Sequence, residues 1–88
     1  MDIEKYRFEM KNKLRMAREE LDNKNVKMNL HINHVRHLSI KKYDALRDGI
    51  NEIDKKLDRF YELDTNLHDV LKEDIDDLWK HIKLLLDI

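Results

Sequence analysis

From Asp2 onward the apolar residues Ile3, Met10, Leu14, Ala17 and Leu21 recur at helical spacing, with Tyr6 beside them. Residues so spaced lie on one stripe of an α-helix. Asp2 and Glu4 stand at the positive end of its dipole. Lys5, Arg7, Lys11, Lys13, Arg15 and Arg18 occupy the other faces, so the pattern predicts a basic amphipathic helix.

The stretch that follows reads two ways. The helical track continues through Leu21, Asn25, Met28, Ile32 and Val35, and Glu20 precedes Lys24 by four, the favourable orientation for a helical ion pair. On this reading Val26 and Leu30 fall on the far side of the helix and need another partner. Alternatively, Val26, Met28, Leu30 and Ile32 alternate with Lys27, Asn29, His31 and Asn33, the period of a short strand near 26–32. Asn and Lys are poor strand formers, no turn glycine follows, and no partner strand is visible, so the helix is preferred. Asn25 is polar within an apolar track. It either ends the first helix, the turn-like DNKN at 22–25 being consistent with that, or fixes register and oligomeric state in a helical interface.

A second helix is predicted over residues 40–63, with Ser39 as its N-cap. Tyr43, Leu46, Ile50, Ile53, Leu57 and Phe60 step by three and four along its seam, and Gly49 falls off that seam. At Leu63 the register slips, and Asp64, Thr65 and Asn66 are all suitable caps. A third helix over 66–87 then places Leu67, Leu71, Ile75, Leu78, Ile82 and Leu85 inward, with Trp79 beside the seam. Its acidic residues come first (Asp69, Glu73, Asp74, Asp76, Asp77) and its basic ones last (Lys80, His81, Lys83), which suits a separate helix dipole.

Composition sharpens the class. The 88 residues include one glycine, no proline and no cysteine, and 42% are charged. Strand-and-turn folds need Gly and Pro at their corners, whereas this usage is that of helical bundles. The expectation is all-α: one helical domain over 1–88, a small three-helix bundle or helical hairpin with coiled-coil-like packing. A core this small is commonly reinforced by disulfides, metals or oligomerisation, and the missing cysteines remove the first. No apolar run approaches the roughly 18 residues of a membrane span, and the charged N-terminus lacks a signal-peptide core. A cytoplasmic or otherwise intracellular protein with no membrane partner is expected.

Charge is uneven. Residues 1–47 carry twelve Lys and Arg against seven Asp and Glu, a balance of +5, and residues 48–88 carry six against twelve, a balance of −6. The two halves can attract each other within one chain or across an antiparallel dimer.

Candidate chemistry is sparse. His31, His34 and His37 stand three apart, and on a helix they fan across about 120°, too wide to converge on one ion. On a strand His34 would face away from the other two. Neither arrangement makes a metal site. Glu73 and Asp77 share a helix face but lack the glycine-bearing loop of a calcium site. There is no phosphate-cradling loop, and one serine and one threonine offer no triad spacing. Neither catalysis, cofactor nor metal is expected.

What the pattern does imply is a non-enzymatic structural or interaction protein. It self-associates through helical packing, as a homo-oligomer with a dimer first, and presents helix surfaces to a protein partner. The residues expected at that interface are Leu14, Leu21, Asn25, Met28, Ile32, Ile50, Ile53, Leu57, Phe60, Leu78, Trp79 and Ile82. Phe8, Tyr61 and Trp79 are the aromatic anchors, since aromatics are enriched at such positions. The alternative is a small nucleic-acid-binding regulator whose first helix follows phosphates with Lys5, Arg7, Lys11, Lys13, Arg15 and Arg18. No glycine-bearing helix-turn-helix corner supports it.

Overall fold

The structure, a computed structural model, describes residues 2–28 and 33–86, with side chains described at 2–23 and 41–86. Three helices pack against one another: α1 (Ile3–Met28), α2 (Asn33–Asp58) and α3 (His68–Leu86). Two short 3-10 turns, Arg59–Tyr61 and Thr65–Leu67, connect α2 to α3. The fold is an all-α three-helix bundle, and no strand occurs among the described residues.

Asp2 caps α1: its carboxylate accepts the Lys5 backbone N–H at 3.1 Å and its carbonyl that of Tyr6 at 3.0 Å. The helix then runs through DNKN to Met28, which settles residues 26–28 as helix; 29–32 of the strand alternative lie outside the described residues. The start of α2 corrects the sequence reading as well. The helix begins at Asn33, so Ser39 lies within it and not at its N-terminus. Residues 33–39 contain neither Pro nor Gly, and a serine inside a helix is tolerated when nothing else breaks the chain.

The end of α2 tightens before it stops. The Glu62 and Leu63 N–H groups both donate to the Arg59 carbonyl, at 3.0 and 3.1 Å. Asp64 is extended (φ −63°, ψ 150°) and its carbonyl accepts the Leu67 N–H at 2.9 Å. The expected third helix from residue 66 therefore starts as a 3-10 turn, and α-helix proper begins at His68. In that turn Leu67 is left exposed, and His68 is buried instead with Nε2 3.2 Å from the Leu63 carbonyl oxygen. A second correction falls at the other end of α3, where Leu86 is buried and Leu85 is exposed. The helical period of 3.6 carries the stripe from Ile82 four residues on, not three.

The core joins Met10, Leu14, Ala17 and Leu21 of α1 to Leu46, Ile50, Ile53 and Leu57 of α2, and to Leu71, Ile75, Ile82 and Leu86 of α3, with Phe60 closing one end. Ion pairs fix the direction of the helices. Arg7 reaches Asp58 at 2.7 Å and Lys11 reaches Asp54 at 2.6 Å, so α1 and α2 run antiparallel. Lys56 reaches Asp74 at 2.5 Å, and Gly49 lies against Ile82, so α2 and α3 are antiparallel too.

The bundle is long and narrow, 50 × 18 × 18 Å. Past the Gly49–Ile82 contact α2 continues to Asn33, about 24 Å at 1.5 Å per residue, whereas α3 continues only to Leu86, about 6 Å. The α1–α2 hairpin thus extends well beyond the third helix.

Candidate interaction surfaces

Of the residues the sequence assigns to an interface, Leu14, Leu21, Ile50, Ile53, Leu57, Phe60 and Ile82 are buried inside the chain's own core. Leu78 and Trp79 pack half-buried against it. Asn25, Met28 and Ile32 lie outside the described side chains, as do His31, His34 and His37. Phe8 and Tyr61, the other two aromatic anchors, are 69% and 61% exposed.

The basic residues of α1 are mostly engaged within the chain. Arg7 donates from Nε to the Leu57 carbonyl at 3.0 Å, from Nη1 to the Tyr61 hydroxyl at 2.7 Å and from Nη2 to Asp58 at 2.7 Å. Its guanidinium also lies 4.6 Å from the Tyr61 ring centre. Tyr61 in turn donates to Glu4, and that bond raises the Tyr61 phenol above its ordinary value. Asp54 is shared by Lys11 and by Arg18, the latter at 3.4 Å. Arg15 pairs with Glu19 one turn on, while Lys5 and Lys13 are exposed. Four of the six candidate nucleic-acid contacts therefore already hold a carboxylate.

A second polar cluster ties α1 to α3. The Tyr6 hydroxyl donates to Asp76 Oδ1 at 2.6 Å, and Lys72 Nζ donates to Oδ2 at 2.8 Å. Partial burial pushes the Asp76 carboxyl up, but the hydrogen bonds from Lys72 and Tyr6 and the charges of Lys72 and Lys13 outweigh it and hold the group below its ordinary value. Burial and the neighbouring carboxylate raise the Tyr6 phenol, so it remains a donor.

Two shallow concavities lie among the described residues. A groove of about 230 Å³ lies between α1 and α2, floored by Leu21 and Ile50 and edged by Arg18, Tyr43 and Arg47. Another of about 240 Å³ runs along Asn51, Asp54, Lys55 and Asp58. Both fall short of the roughly 300–1,000 Å³ typical of small-molecule sites. Among the described residues, no group of three or more His, Cys, Asp or Glu is placed to hold a metal ion, and no helix is long and apolar enough to cross a membrane.

The surface that sequence reasoning missed is the outward face of α3. Val70 and Leu84 are 64% and 80% exposed, and Leu67 and Leu85, expected inward, are 43% and 45% exposed. Val70, Asp77 and Leu84 step by seven on the side opposite Leu71, Ile75 and Ile82. That second, weaker periodicity was present in the sequence, hidden beneath the strong inward one.

Set against protein-family models, curated proteins and solved structures, the chain matches none.

Proposed function

We propose that this chain is a non-enzymatic interaction protein that self-associates, as a dimer first, through helix packing and presents helix surfaces to a protein partner. The observation that carries this reading is the position of its exposed apolar side chains. Among the described residues seven large ones are exposed, and four of them, Leu67, Val70, Leu84 and Leu85, belong to α3 and the turn leading into it. Singly exposed apolar residues are ordinary, and it is their grouping on one element that supports a contact surface there. Nucleic-acid binding is the weaker reading, since Arg7, Lys11, Arg15 and Arg18 spend their charge on carboxylates of the same chain.

Light scattering on a size-exclusion column tests the proposal. A mass near twice the 10.8 kDa of the chain, rising with concentration, is the expected result. A constant single-chain mass up to several hundred micromolar overturns self-association.

A further inference from the structure

The geometry points to the outward face of α3 as a self-complementary surface that takes α3 of a second copy of this chain in antiparallel orientation. This rests on the self-association proposed above and names the surface that performs it.

Helical geometry supplies the first part of the argument. At about 100° per residue, Val70, Asp77 and Leu84 lie within roughly 40° of one another and form the midline of the face. Glu73 and Lys80 flank that midline on one side; Asp74 and His81 flank it on the other. All seven residues are exposed. The midline is apolar at both ends and charged at its centre.

Charge supplies the second part. The acidic flank residues precede Asp77 and the basic ones follow it. In a parallel pairing Glu73 would face Asp74 of the second copy, a like-charge contact, and Lys80 would face His81 of the second copy. In an antiparallel pairing about a two-fold axis through Asp77, the flanks exchange partners within the same side. Glu73 then faces Lys80 of the second copy, and Asp74 faces His81 of the second copy. On the midline Val70 meets Leu84 of the second copy, and each of these contacts occurs twice. Asp74 also pairs with Lys56 of its own chain, so it contributes less than Glu73 does. The two Asp77 carboxylates meet at the axis, an unfavourable contact, with Lys80 and His81 one turn away on each helix to offset it.

Size sets the strength. A single helix-on-helix contact is at or below the low end of the about 1,200–2,000 Å² buried by stable interfaces, so the dimer exchanges readily at micromolar concentration.

The test is sedimentation equilibrium on the full chain and four exposed-surface variants, with circular dichroism to confirm that each remains helical. Glu73→Lys and Lys80→Glu each place two like-charge pairs in the interface and are expected to weaken association about tenfold. The double variant restores opposite charges and returns association to near the parent value. Leu84→Glu, changed at a site already 80% exposed, leaves the fold intact and abolishes the dimer. A dimeric parent whose variants associate as tightly as it does overturns this surface while leaving self-association standing. A monomeric parent overturns both.

Discussion

Tyr6 holds two kinds of contact at once. Its ring meets Phe60 edge-on with centres 5.8 Å apart, and Phe60 meets His68 in the same manner at 5.4 Å, so one side chain of α1 and one of α3 converge on the buried phenyl ring of the turn Arg59–Tyr61. Edge-to-face contacts of this kind add to simple area burial. The Tyr6 hydroxyl, at the rim of that cluster, reaches Asp76. Tyr6→Phe leaves the ring in place and removes only the donor to a partly buried carboxylate that Lys72 still pairs. The expected loss is about 1 kcal/mol, seen as a lower urea midpoint with an unchanged slope. An unchanged midpoint would mean that water replaces the hydroxyl at no net cost.

At the scale of the helix, the sequence made the inward stripes of α1 and α2 legible, because Met10, Leu14, Leu21, Ile50, Ile53 and Leu57 repeat at a period that only a helix satisfies. What periodicity could not settle was where a helix changes type or how two helices meet. Asp64, Thr65 and Asn66 all read as caps; Asp64 does precede a turn, but that turn is the 3-10 piece Thr65–Leu67, and α3 begins only at His68, whose burial is a tertiary effect. The interface residues were legible as apolar but not as intramolecular, since one helix's stripe does not say whose stripe it meets. Gly49 shows the same limit: off the seam in sequence, it is half-buried beneath α3 in the fold. A Cβ there would lie 3.4 Å from Ile82 Cδ1 and 3.6 Å from Cγ1, ordinary contact distances, and the backbone is helical. Gly49→Ala should therefore stabilise the bundle by about 1 kcal/mol, or roughly 5 °C in Tm, through helix propensity alone. A fall in Tm on calorimetry would show that α2 and α3 need the closer approach that only glycine permits.

Across the whole molecule the charge asymmetry finds a use within one chain. Basic residues of α1 lie on acidic residues of α2: Arg7 on Asp58, Lys11 and Arg18 on Asp54. The imbalance was plain in the sequence, but its satisfaction within the chain depends on the antiparallel register of α1 and α2, which no residue count contains. A consequence for acid stability follows. The hydrogen bond from Lys11 holds the Asp54 carboxyl below its ordinary value, aided by the charges of Lys11 and Arg18 against partial burial, and Asp76 is held low as well. A carboxyl lowered by folding stabilises the native state above its unfolded pKa of about 3.9 and loses that contribution as pH falls through the lower folded value. The contribution of these two carboxylates should therefore be level from neutral pH to about 5 and decline below about pH 4. Urea midpoints measured from pH 2 to 7 check the parent, and Asp54→Asn supplies the control. That variant should be less stable at neutral pH and show a shallower acid decline, with the difference shrinking in 1 M salt because Asp54 remains partly in solvent. An acid decline as steep as the parent's would assign it to other carboxylates and leave the Lys11–Asp54–Arg18 contact with no part in joining the two halves of the chain.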